Sequence, residues 1–326
     1  MAQRGGRNFR PARRQPDFQT PPSVLQGPIL SQNLTRQAYV LLTLTTLFWG
    51  GNSVAGKMAV GEISPMLLTL IRWVLAASVI VFFSLGELRR DWPAIRKHAP
   101  LLFFYGAFGF SLFNILLYTA LTRTSAVSGS IVQAALPATV YILNYLFFRT
   151  RVTPYQIAGF VVTLAGVMIV ATHGEWARLA ALDLNFGDAL ILVAVLVYGI
   201  YTITLRYKPQ MHWKSLITVL SFSAALAALP FAMWEAWSGA MIVPAAKGWT
   251  IAAYTAIFPS LVSQLFFIRG VDLIGSNRAG IFINLIPIFG TALAILILGE
   301  TFEPFHAVAL LLVIGGIWLA ERQVDI

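Results

Sequence analysis

The chain has 326 residues, of which 58% are hydrophobic and only 11% charged. That charged share is less than half of the quarter typical of soluble domains, too little to cover a water-facing surface, so a soluble globule is excluded. Cysteine is absent, which removes disulfide frameworks, thiolate nucleophiles and Cys-ligated metals, and the net charge of +10 argues for nucleic acid only if the basic residues gather on one face, which they do not.

Residues 1-35 hold Arg4, Arg7, Arg10, Arg13 and Arg14 together with turn-formers such as Pro21-Pro22. They contain no apolar run of signal-peptide type, which predicts a disordered basic tail. Apolar runs follow at 37-59, 64-86, 99-121, 125-147, 154-172, 187-206, 214-235, 248-269, 276-298 and 304-321. Each is long enough to cross about 30 Å of hydrocarbon as a helix. The expectation is an all-α membrane protein of ten transmembrane helices, five in 36-173 and five in 187-321.

Lysine and arginine accumulate in cytoplasmic loops. With the N-terminus inside, eighteen of the 23 basic residues fall on the inner side, four (Lys57, Arg123, Arg178, Lys247) fall outside, and Arg72 lies within a helix. Both termini are therefore expected in the cytoplasm. Trp92, Trp213, Trp234, Trp237 and Trp249, near helix ends, read as interfacial belt residues.

The chain also repeats itself. Pro137, Pro154 and Gly166 recur 150 residues later as Pro287, Pro304 and Gly316, and the same offset pairs Phe108 with Phe258 and Asn114 with Gln264. An offset of 149 pairs Trp49-Gly50 and Lys57 with Tyr198-Gly199 and Arg206. An odd number of helices per repeat inserts the second half upside down, which is the inverted-repeat plan of secondary transporters, with the substrate near the midplane.

Polar side chains share helical faces inside these runs. Ser130, Gln133, Pro137, Tyr141 and Asn144 form one stripe in the fourth helix, and Gly280, Asn284, Pro287 and Thr291 form its counterpart in the ninth. Proline in each stripe frees a carbonyl, tolerable at this depth where protein or a wet cavity takes it up. Trp49 and Asn52 face one way on the first helix, Tyr198 and Tyr201 on the sixth, Asn114 and Tyr118 on the third, and Ser260, Ser263 and Gln264 on the eighth. These residues either line a passage or bond across helix interfaces. Arg72 is the one charge well inside a helix, and it either binds a carboxylate or braces the fold. Lys57 and Glu300, near helix ends, are expected to snorkel. No carboxylate stands in mid-helix to carry a proton relay, and the four histidines sit near ends or in loops. No metalloprotease, phosphate-loop or hydrolase motif is present, so no catalytic residue, metal site or cofactor is expected.

Phe48-Trp49-Gly50-Gly51-Asn52 leading to Lys57, Ser64-Pro65 before Arg72, and Gly275-Ser276-Asn277-Arg278-Ala279 running through Pro287 to Leu298-Gly299-Glu300 and Pro304 resemble EamA-domain proteins of the drug/metabolite transporter superfamily. One departure is Phe148-Arg149-Thr150, where that family often repeats its Gly-Glu. Within the family the chain is most similar to YddG-type amino-acid exporters. The resemblance implies an alternating-access exporter in the inner membrane. Its substrates would be amino acids, aromatic or otherwise neutral, or similar small metabolites. The alternative is a multidrug exporter of apolar or cationic compounds. Trp49, Asn52, Asn114, Tyr118, Gln133, Tyr141, Tyr198, Tyr201, Gln264 and Asn284 are the expected substrate contacts, and Arg72, Pro137 and Pro287 the structural or gating residues. The expected partners are a small solute and the bilayer, with no nucleic acid, and the expected unit is a monomer.

Overall fold

The computed structural model describes residues 28–150, 153–175 and 185–321, and every regular element among them is helical. In chain order these are α1 (Pro28–Met58), α2 (Pro65–Phe82), α3 (Leu85–Lys97), α4 (Ala99–Leu121), α5 (Ala126–Phe148), α6 (Pro154–Ala171), α7 (Phe186–Tyr207), α8 (Trp213–Trp237), α9 (Ala246–Ile274), α10 in two pieces (Ser276–Ile283 and Ile286–Leu298) and α11 (Pro304–Glu321). Helix occupies each apolar run read from the sequence. Seven helices, α2 and α4 to α9, are long and apolar enough to cross a membrane. The chain is a multi-pass membrane protein.

Two expectations are corrected. Helix α1 starts at Pro28, so residues 28–35 are helical rather than part of a disordered tail. A proline in a first helical turn lacks only an N–H that has no partner there anyway. The rest of that tail, with its five arginines, lies outside the described residues. The second apolar run stops at Phe82, and the charged stretch after it forms α3, with Glu87 in its first turn and Arg96 and Lys97 in its last, as the helix dipole favours. Helix α3 is tied to the start of α8, because Glu87 Oε1 accepts from Lys214 Nζ at 2.9 Å and Asp91 Oδ2 from the His212 N–H at 2.8 Å. Trp92, Trp234, Trp237 and Trp249 are exposed, as belt residues should be.

The long helices are interrupted at matching places. Helices α4 and α9 contain π-helical stretches at Gly106–Leu112 and Phe258–Val262, around the repeated Phe108 and Phe258. A π stretch leaves carbonyls off the ordinary ladder. Helix α5 breaks at 134–135 and α10 at 284–285, again 150 residues apart. Pro137 and Pro287 stand in the first turn of the piece that follows each break, where they have no N–H to continue the ladder. Ala134, Ala135 and Leu285 bond three residues back instead of four. After α5 and α10 the chain turns through the left-handed region at Arg149 (φ 54°) and Gly299 (φ 66°).

Packing follows the repeat. Helix α1 packs on α9 and α10, while α7 packs on α4 and α5; α2 pairs with α8 and α6 with α11. Small residues permit the closest approaches, as expected where apolar solvent supplies no drive for helices to associate. A Cβ on Gly50 would lie 2.7 Å from the Gly290 backbone nitrogen, and one on Gly166 would lie 2.8 Å from the Ala309 carbonyl. A core of fully buried Leu117, Leu121, Val127, Ile131, Ile191 and Val313 fills the end of the bundle that holds Lys57.

Candidate functional site

Between α1, α2, α4, α5, α7, α9 and α10 lies a cavity of about 400 Å³, within the range of small-molecule sites. The helix breaks and π stretches face it. Ala134, Pro137, Asn284 and Pro287 from the two breaks line its walls, as do Gly109, Phe110 and Pro259 from the π stretches. Two indoles take up carbonyls there: Trp49 Nε1 donates to the Pro259 carbonyl at 3.1 Å, and Trp73 Nε1 to the Phe110 carbonyl at 3.3 Å.

Arg72 forms the deep wall. Its Nε donates to Ser260 Oγ at 2.7 Å, and its Nη1 donates to Asn52 Oδ1 and Asn114 Oδ1 at 2.8 Å each and to the Tyr118 hydroxyl. Tyr118 in turn donates to Asn52 Oδ1 at 2.8 Å, and Asn114 Nδ2 to the Phe110 carbonyl. The guanidinium lies 5.0 Å from the centre of the Trp73 ring, which stacks on Phe110 at 4.6 Å. Helices α1, α2, α4 and α9 thus converge on one buried cation, and each of these hydrogen-bond partners is neutral.

The remaining lining is amide and aromatic. Gln133 Nε2 donates to Ser53 Oγ at 2.8 Å and to the Gly129 carbonyl at 3.0 Å. Tyr198 and Tyr201 meet edge to face at 5.2 Å, and Gly109 makes room for them, since a Cβ there would touch the Tyr201 ring at 2.5 Å. Trp49 contacts Phe267 at 5.4 Å.

The end of the bundle at Lys57 is shut. The first piece of α5 packs on the second piece of α10, with Ser130 against Gly290. Glu300 accepts the N–H groups of Ala126 and Val127 at 2.8 and 2.9 Å. Glu235 accepts from Ser64 Oγ at 2.6 Å and from the Leu67 N–H at 3.0 Å. Thr124 Oγ1 donates to Asp188 Oδ1 at 2.6 Å. Lys57 Nζ donates to the Leu121 and Thr124 carbonyls at 3.0 and 2.7 Å. Lys57 and Glu300 therefore hold helix ends rather than reaching outward, because a charge at the complementary end of a helix dipole is already stabilised there. At the opposite end, near α3, the described residues of Leu136–Phe148 and Ser276–Ile283 do not pack on each other in the way their counterparts do. The cavity extends toward that end as far as Leu205.

Trp49, Asn52, Asn114, Gln133, Tyr198, Tyr201, Gln264, Asn284, Arg72, Pro137 and Pro287 all line the cavity. Tyr118 does not; it is buried behind Arg72, which it positions. Tyr141 is not among the lining side chains either, although Pro137, one turn earlier in the same helical piece, is. Trp73, Phe110, Phe113, Thr202 and Phe267 also line the cavity. The sequence reading singled out none of these; for Trp73 the available signal was its place next to Arg72.

Residues 36–172 and 185–321 each match the EamA-like transporter family. The chain is 28% identical over 293 residues to the uncharacterized transporter YetK of Bacillus subtilis, covering 88% of both chains. It is 25% identical to a probable terminal-alkyne amino-acid exporter of Streptantibioticus cattleyicolor, covering 86% of this chain and 92% of that one. It is 24% identical to an S-adenosylmethionine/S-adenosylhomocysteine transporter of Chlamydia muridarum, covering 88% and 91%.

Proposed function

Since the chain belongs to the EamA-like transporter family, we propose that it is a secondary transporter of the inner membrane that exports amino acids or similar small metabolites by alternating access. Ten crossings in two inverted five-helix repeats underlie this reading. In support, the breaks, π stretches and left-handed caps recur at one offset, and the α1 contacts with α9 and α10 are exchanged for α7 contacts with α4 and α5. The charge census supports a cytoplasmic setting for both termini, α3 and the α3 end of the cavity.

The observation that carries the reading is a cavity between the two halves, packed shut at the Lys57 end and extending toward α3. Alternation would separate the α5 and α10 pieces at the Lys57 end and join their counterparts near α3. The S-adenosylmethionine transporter and the amino-acid exporter among the relatives both handle molecules with an amino-acid head, which supports that substrate class. The multidrug alternative fits less well, because the charge in the cavity wall is a cation and repels cations.

The test is counterflow in proteoliposomes with a panel of labelled amino acids, with and without a pH gradient. Exchange of at least one neutral amino acid, retained when the gradient is collapsed, is the expected result. An inert protein across the panel overturns the amino-acid assignment.

A further inference from the structure

Resting on that transporter reading, we infer that Arg72 is the receptor for a substrate carboxylate. The class selected is then organic monocarboxylates with an apolar or aromatic body, for which the α-ammonium of an amino acid is dispensable.

The argument starts from charge. Arg72 is 4% exposed, eighth in an eighteen-residue helix that is apolar enough to span the membrane. A guanidinium taken from water to such a place is expensive unless it is paired or hydrogen-bonded. Ser260, Asn52, Asn114 and Tyr118 supply hydrogen bonds but no negative charge. Among the described residues, no aspartate or glutamate lines the cavity. The positive charge is thus oriented and left unneutralised in the absence of a solute.

The second part is geometric. Protein acceptors occupy Nε and Nη1, so each of the two donor forks of the planar guanidinium, Nε/Nη2 and Nη1/Nη2, keeps its Nη2 N–H. Nη2 has no protein partner among the described residues, and it is not sealed among the buried polar atoms that lack one. Arg72 itself lines the cavity, so this free corner is presented to whatever enters. A bracing arginine would be expected to spend its whole fork on protein. One held by Nε and Nη1 with Nη2 free is arranged as a receptor, and an arginine N–H forms short, strong bonds to a carboxylate oxygen.

The rest of the wall sets what the carboxylate is attached to. Phe110, Phe113, Tyr198, Tyr201 and Trp49 surround the space beyond Arg72, a surface for an apolar or aromatic body. No anionic group waits for an ammonium, which has only ring faces and amide oxygens to meet. Acids should therefore be retained when the amine is deleted, and amines should be lost when the acid is deleted.

The test is competitive binding to the purified full-length protein with matched probes. These are phenylalanine, 3-phenylpropionate, phenylalaninamide and phenethylamine, and the corresponding set built on leucine. Within at least one set, the two acids should bind at least tenfold more tightly than the amide and the amine, and Arg72→Gln should abolish that preference while Arg72→Lys retains part of it. Equal binding of acids, amide and amine overturns the role of Arg72 and leaves the transporter reading standing. Failure of every probe overturns both. If Arg72→Gln does not fold, the panel on the unaltered protein decides alone.

Discussion

Both carboxylate oxygens of Glu300 rest on the helix N-terminus that begins at Ala126, accepting its N–H at 2.8 Å and that of Val127 at 2.9 Å. An anion at the positive end of a helix is well placed, and here it joins the close of α10 to the start of α5. Hydrogen bonds to charged groups contribute roughly 1.5 to 3 kcal/mol, so Glu300→Ala should loosen the shut end. Ser130, 1% exposed and packed on Gly290, reports on it. With no native thiol to give background, Ser130→Cys should label slowly with a water-soluble reagent and several-fold faster once Glu300→Ala is added. Unchanged labelling would remove the clamp.

The matching positions 150 residues earlier are Arg149 and Thr150, and they carry no such carboxylate. Arg149 is held at φ 54°, where glycine has no steric cost and a side chain does. Arg149→Gly should stabilise the protein by about 0.5–1 kcal/mol, seen as a higher melting temperature in detergent. Adding Thr150→Glu should favour closure near α3 and slow the labelling of a cysteine at Thr202.

Contact between α1 and α10 is set by backbone. Because a Cβ on Gly50 would sit 2.7 Å from the Gly290 nitrogen, neither chain has a flexible end to give way. Gly50→Ala should cost about 1–3 kcal/mol, the usual penalty of overpacking. Gly315→Ala, with nothing within 4 Å, should be neutral or slightly stabilising. Equal melting temperatures for the two variants would contradict the packing.

If the cavity carries substrate, cysteines at Trp49, Gln133, Tyr201 and Asn284 should react with a small polar thiol reagent and be protected by substrate, while cysteines at Val162 and Leu312 should not. Gln133→Ala or Asn284→Ala should weaken apparent affinity several-fold, in line with about 0.5–1.5 kcal/mol per hydrogen bond. Inert cysteines in a protein that still transports would make these faces packing surfaces.

The link between α3 and α8 should depend on acid. The Lys214 ammonium holds the Glu87 carboxyl below its ordinary value. For Asp91, burial pushes upward, but the Ser215 hydroxyl and the His212 N–H outweigh it and the net shift is also downward. Carboxylates depressed in the folded state add stability that is complete above their unfolded values and disappears as pH falls through the folded ones. Melting temperature should therefore drop as pH falls through and below the ordinary carboxylate range. Glu87→Gln with Asp91→Asn should lower it at neutral pH and flatten that drop; parallel curves would mean that the pair contributes nothing.

The helical plan was legible because hydrocarbon thickness imposes a length on every run, and Pro137 and Pro287 announced the breaks in α5 and α10. What escaped was contact across long separations. The acceptors of Arg72 come from three other helices, and its bond to Ser260 spans 188 residues, which no local pattern encodes. The π stretches leave hydropathy unchanged, so Phe110 reached the cavity unannounced. Helix α3 was missed because a charged amphipathic segment outside the apolar runs reads as a loop.

On the proposed exporter reading, a buried cation whose hydrogen-bond partners are all neutral bears on how export is driven. A zwitterion leaves a cell without moving net charge, and the membrane voltage neither helps nor opposes it. A monocarboxylate seated on Arg72 takes one negative charge outward, and an interior held negative favours its departure by about 2.3 kcal/mol for each 100 mV. On the carboxylate reading, such solutes need no mid-helix carboxylate relay, since voltage alone supplies the direction.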